Sequence, residues 1–165
     1  MHRVAQFEKV SYEQYAKDRM QIDHLENDDG LREEWEAIRL PVRATAYSAG
    51  YDFFIPKGRY INGCPRVIAT GIRCKIEPDW FLMAAPRSGL GFKYEARLAN
   101  TVGIVDGDYY FSDNEGHIMI KMSSETSFML SDGDGFAQGV FLPYGVTYDD
   151  YATGIRNGGF GSTGA

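Results

Sequence analysis

From Pro41 onward the sequence is cut into short β-forming runs by Gly, Pro, Asp and Asn. The stretches 66–76, 80–85, 117–122 and 139–142 are rich in residues that favour strands, and turn-formers bound each of them. Many short strands at such spacing imply an all-β sandwich or barrel. The first forty residues read differently. Ser11-Tyr12-Glu13-Gln14 is a capping-box pattern, with Ser11 as cap and Gln14 placed to reach back, and Val10 and Tyr15 stand where a hydrophobic staple packs. A short helix is expected over 11–20. Asp28-Asp29 precede a second helix, with Leu31, Trp35 and Ile38 on one face, and Pro41 stops it. After Tyr151 the glycines at 154, 158, 159, 161 and 164 make a tail too flexible to be core. The expected organisation is one domain over 1–165: an N-terminal helical extension (1–40), a β core (41–150) and a flexible C-terminal lid (151–165).

The chain has 165 residues, is 44% hydrophobic and carries a formal charge of −6. That apolar content supports a packed core, and the length suits one domain. No stretch approaches the roughly 18–20 apolar residues that span a bilayer. The N-terminus MHRVAQFEKV has no apolar signal region, so a cytoplasmic protein without a membrane is expected. The acidic balance argues against coating nucleic acid, but it permits a small anion held by local arginines and a cation. Cys64 and Cys74 are the only cysteines and read as two reduced thiols packed as small hydrophobes.

Several chemistries lack their residues. Only His2, His24 and His117 are present, too few for a multi-histidine metal site and poor material for a Ser-His-Asp triad. Ser88 lies in Pro86-Arg87-Ser88-Gly89, not in a G-x-S-x-G elbow. Asp132-Gly133-Asp134-Gly135 resembles a calcium loop, but Phe136 and Pro143 occupy ligand positions, so a turn is the better reading. The tail lacks the Lys-Ser/Thr ending of a Walker loop.

Five polar islands remain: 49–52 (Ala-Gly-Tyr-Asp), 86–90 (Pro-Arg-Ser-Gly-Leu), 103–109 (Gly-Ile-Val-Asp-Gly-Asp-Tyr), 135–138 (Gly-Phe-Ala-Gln) and 156–164. Each alone has a structural explanation as a turn, a surface pair or a free end. Together and in this order they closely resemble the five motifs of the trimeric dUTP pyrophosphatases (dUTPases), from about Leu40 to the C-terminus. Asn100, six positions before Asp106, fits the same pattern. The resemblance implies a distorted jelly-roll β-barrel, a homotrimer with shared sites, and hydrolysis of dUTP to dUMP and pyrophosphate with Mg²⁺.

By that resemblance, Asp106 is the catalytic aspartate that orients the attacking water and contacts the sugar 3′-hydroxyl. Tyr109 packs under the deoxyribose and leaves no room for a 2′-hydroxyl. Asn100, Ile104, Val105 and Met119 belong to a uracil pocket read by backbone groups. Arg87, Ser88 and Gly89 form a phosphate-binding turn, and Gln138 reaches the phosphates. Asp52 contacts the waters of Mg²⁺. In the tail, Phe160 stacks on uracil while Arg156, Gly161, Ser162 and Thr163 close over the γ-phosphate. The sequence departs from the family pattern in three places. Residues 110–115 precede Gly116 and lengthen the hairpin after Tyr109; Gly135-Phe136 stands where Arg-Ile is usual; and the first forty residues have no counterpart. Two alternatives share the fold. A dCTP deaminase relative would need a general acid/base near C4, commonly a glutamate, and none stands at the equivalent hairpin. A protein acting mainly through a regulatory protein partner would not need the intact Asp106 and tail.

Overall fold

The computed structural model describes residues 2–157. Its first element is a strand, β1 (Ala5–Lys9), where only helices were expected. It pairs antiparallel with β6 (Ile72–Ile76), Ala5 opposite Ile76 and Lys9 opposite Ile72. Five residues of mixed polarity give little periodicity to read. Phe7 decides the matter by packing against the rings of Tyr51, Phe53 and Phe141 at centroid distances of 5.4, 5.7 and 5.6 Å.

Helix α1 (Tyr12–Asp23) is capped as the sequence implies, with the Gln14 amide donating to Ser11 Oγ at 3.1 Å. The reciprocal half of the box is different. Gln14 Nε2 turns away to Asp18, and the Ser11 amide donates instead to Glu115, 104 positions along the chain. A tertiary carboxylate outcompetes the local amide because its hydrogen bonds are charge-assisted. Helix α2 (Leu31–Ala37) follows Asp28-Asp29 and starts after Gly30, which takes a left-handed conformation. Leu31 and Ile38 are buried and Trp35 is partly so, its Nε1 donating to the Val10 carbonyl at 2.9 Å. A bidentate pair between Arg59 and Asp23, 2.6 Å at each nitrogen, further ties α1 to the strands.

The remaining strands are β2 (Val42–Arg43), β3 (Tyr51–Phe54), β4 (Arg59–Ile61), β5 (Arg66–Ala69), β7 (Trp80–Pro86), β8 (Ala96–Leu98), β9 (Gly103–Val105), β10 (Met119–Ser124), β11 (Phe128–Leu130) and β12 (Gly135–Pro143). All ladders are antiparallel, in sheets ordered β1-β6, β5-β10-β8, β11-β4 and β2-β3-β12-β7-β9. The architecture is of jelly-roll type and mostly β, though among the described residues the ladders do not close into a continuous barrel. The run 66–76 is two strands, broken where Gly71 takes φ +71°. The third helix, α3 (Ser88–Tyr94), stands where a phosphate-binding turn was expected. Nor is residue 110–115 a longer β-hairpin: residues Gly107–Phe111 form a 3₁₀ turn, and β9 pairs with β7 rather than with β10. One core joins both parts of the chain, with Val10, Tyr15 and Ile38 of the N-terminal segment packed among Phe53, Ile68, Leu82, Met122 and Phe136. Cys74 is buried there, whereas Cys64 is exposed, contrary to the reading of both as packed thiols. Asp132 and Asp134 accept backbone amides of Gly58 and Ser131, which is turn chemistry.

Candidate active site

β9 is the edge of its five-stranded sheet, so one row of its backbone N–H and C=O groups is left unused by the ladder. Beside this edge lies a cavity of about 480 Å³, lined by Asn100, Ile104, Val105, Tyr109 and Met119, all five named from sequence, together with Arg156. Gly103 also lines it; a Cβ there would stand 3.3 Å from that of Ala84 on β7. Sequence reasoning did not name Ala84, Leu98, Ile118 or Lys121 on the same walls. Ala84, Leu98 and Ile118 carry a plain apolar strand signal, indistinguishable from core, and Lys121 reads as the exposed face of its strand. Met119 keeps its place despite the different course of residues 110–115, because Ile120 and Lys121 register against Ile68 and Val67 of β5.

Asp106 follows Val105 directly and caps the 3₁₀ turn that carries Tyr109. Its side chain is 45% exposed and ion-paired with Arg156, which also reaches Asp108 at 2.9 Å. Tyr109 is buried, its Oη donating to the His117 carbonyl at 2.8 Å. Burial holds its phenol above the ordinary range, which keeps it a donor. Within the single chain, Arg156 therefore sits on the carboxylate proposed as catalytic.

Asp52, Arg87, Ser88, Gly89 and Gln138 gather at a second place. Arg87 Nε pairs with Asp52 at 3.2 Å, and Gln138 Nε2 donates to the Pro86 carbonyl at 3.1 Å. Asp52 and Gln138 are partners across β3 and β12. Two glycines make room. A Cβ on Gly50 would lie 2.7 Å from Gln138 Oε1, and one on Gly135 would lie 2.6 Å from an Arg87 nitrogen. Gly135, where arginine is usual, thus houses the Arg87 side chain. Ser88 and Gly89 open α3, and a Cβ at Gly89 would meet nothing within 4 Å, so the space above it is free for a ligand. Phe160, Gly161, Ser162 and Thr163 lie outside the described residues.

The two clusters are far apart. Asp52 and Asp106 are separated by three strand spacings and about four residues along β7, on the order of 20 Å at standard sheet dimensions. Neither holds three potential metal ligands; among the described residues no group of three or more His, Cys, Asp or Glu does.

A family model described as dUTPase matches residues 36–164. The deoxyuridine 5′-triphosphate nucleotidohydrolase of Lactococcus lactis is 37% identical over 136 residues, 78% of this chain and 89% of that protein. The Escherichia coli enzyme of the same name is 34% identical, with 76% and 87% covered. Among solved structures, the dUTPase of Streptococcus mutans superposes with a TM-score of 0.63 at 28% identity, covering 86% of this chain and 97% of that one. A dUTPase from phage phi11 of S. aureus, solved with a structural Mg(II) ion, gives 0.64 at 16% identity over 92% and 98%, a likeness of fold.

Proposed function

The chain belongs to the dUTPase family, and on that premise we propose that it hydrolyses dUTP to dUMP and pyrophosphate at a site assembled from more than one chain. The observation that carries this reading is the cavity beside β9, lined by the buried Tyr109 and by Arg156, whose guanidinium is ion-paired with Asp106. An edge strand offers backbone donors and acceptors to a base without spending side chains. Such a wall favours uracil over cytosine, whose exchanged donor and acceptor would leave buried groups unpaired. Among the described lining residues there is no carboxylate of the kind a deaminase uses near C4.

Asp106 would hold the attacking water in line with the α-phosphorus and take up its proton. A carboxylate is a weak base, so positioning and charge stabilisation must supply most of the acceleration. The ion pair with Arg156 occupies that carboxylate in the empty site. A triphosphate with roughly four negative charges would compete for the guanidinium, and its departure would free Asp106. Arg87, Ser88, Gly89 and Gln138 would meet the phosphates, and Phe160 and residues 161–163 would complete the lid.

The donor set suits Mg²⁺ held through its own waters: Asp52 is a single carboxylate paired with Arg87, and no group of three or more His, Cys, Asp or Glu surrounds it among the described residues. When bound, the ion would neutralise charge on the phosphate oxygens. A nucleotide contacting both Asp52 and Asp106 cannot do so within one chain at the separation given above. A closed symmetric oligomer, a homotrimer on the family pattern, brings the two clusters together from different protomers. Pyrophosphate release measured separately with dUTP, dCTP, dTTP and UTP tests the reading. Release from dUTP alone is expected; ammonia from dCTP, or no release from dUTP, would contradict it.

A further inference from the structure

Two stretches that depart from the family pattern, residues 1–40 and 110–115, meet behind the cavity. Glu115 accepts from Ser11 twice, from its amide at 2.8 Å and its hydroxyl at 2.6 Å. Tyr110 Oη donates to Glu8 at 2.7 Å, and the Arg73 guanidinium lies 3.6 Å from the Tyr110 ring centre. Between these ties runs a chain of polar contacts that ends on Tyr109. Asp18 of α1 lies 2.6 Å from Nδ1 of His117, which is 0% exposed. The Gly71 amide donates to the other ring nitrogen at 2.8 Å, so Nδ1 carries the proton and donates to Asp18. Tyr109 Oη donates to the His117 carbonyl at 2.8 Å and itself accepts from Asn114 Nδ2 at 2.8 Å. Gly116 lets this turn close: it takes φ +70°, and a Cβ there would stand 2.7 Å from the Tyr109 carbonyl oxygen.

We propose that Asp18, His117 and Asn114 are positioning residues that lock the Tyr109 ring against the sugar, making the N-terminal helix a determinant of deoxyribose selectivity. The proposal rests on the reading of Tyr109 as the sugar-packing ring. Steric exclusion of a 2′-hydroxyl works only if the ring cannot retreat. Packing alone would let a tyrosine slide by fractions of an ångström, whereas a hydroxyl that both donates and accepts has a fixed depth and plane. Asp18 fixes His117 by its ring, and with it the carbonyl on which Tyr109 rests. An extension with no part in the chemistry thereby acts on specificity.

The test is kcat and KM for dUTP and UTP in the wild type and in Asp18→Ala, Asp18→Asn and Asn114→Ala. Asp18→Ala and Asn114→Ala should each lower the ratio of kcat/KM for dUTP over UTP about tenfold. The change should come through a lower KM for UTP, with kcat on dUTP retained within a few-fold. Asp18→Asn, which still offers an oxygen to Nδ1–H, should keep the wild-type ratio; loss of selectivity in it equal to that of Asp18→Ala would count against the hydrogen bond. If Asp18→Ala fails to fold, Asn114→Ala decides. An active wild type whose selectivity is unchanged in the folded alanine variants overturns this proposal alone, while a wild type inactive on dUTP overturns the functional reading and this proposal with it.

Discussion

Replacing the Asp106 carboxylate by an amide changes one charge and almost no volume, so Asp106→Asn isolates the chemical step. Turnover of dUTP should fall about 10²–10⁴-fold, the usual worth of a general base, with affinity for a non-hydrolysable analogue retained. Single-turnover kinetics beside a binding titration would show this, and near wild-type turnover would remove Asp106 from its role. The cysteines give a second test at this scale. Burial pushes the Cys74 thiol up to about 12 from 9.0, and it raises Tyr109 and Tyr15 in the same direction. These folded-state groups keep protons that the unfolded chain has already lost. Stability should therefore be flat below the ordinary thiol range and fall as pH rises from about 9 toward 12. Urea midpoints near neutrality and at about pH 10 should differ, and Cys74→Ala should shrink the difference. In the native protein a thiol reagent should titrate Cys64 and spare Cys74.

Gly116 shows how one turn supports an element. Substitution by alanine would force a left-handed conformation on a residue whose Cβ meets backbone 2.7 Å away. A loss of about 2 kcal/mol is expected, read as a drop of several degrees in Tm; an unchanged Tm would mean that the turn relaxes freely. The segment after Tyr151 gives a second test at this scale. Truncation after Tyr151 should leave Tm nearly unchanged and lower turnover severely, since the described part of this segment is exposed apart from Arg156. What could be read from sequence divides along the same line. Strands β7 and β10 and helix α1 carry period, caps or long β-forming runs, so they were legible. Strand β1 was not, because its pairing depends on Phe7 finding three rings distant in sequence. The 3₁₀ turn at Gly107–Phe111 was missed for a like reason: Tyr109 is held by His117 and Asn114, contacts that no local periodicity records. The cavity walls named from the motif pattern came together, while Ala84, Leu98, Ile118 and Lys121 looked like ordinary strand residues.

At the scale of the molecule, a net charge of −6 is reconciled with an anionic substrate by local concentration of Arg87, Lys121 and Arg156 near the two clusters. The clusters themselves do not meet within one chain, so the account stands or falls on assembly. Exposed Tyr47, Phe92, Ile104, Phe111 and Tyr148 supply apolar surface of the kind that protomer contacts bury. The decisive measurement mixes two inactive proteins, Asp106→Asn and Arg87→Ala, by unfolding and refolding them together at equal concentration. If each site draws Asp106 from one protomer and Arg87 from another, random mixing leaves about a quarter of the sites intact, and dUTP hydrolysis should return to that fraction of the wild-type rate. Mixed oligomers verified by native mass spectrometry that remain as inactive as the parents, or an active species that light scattering shows to be a monomer, would contradict it.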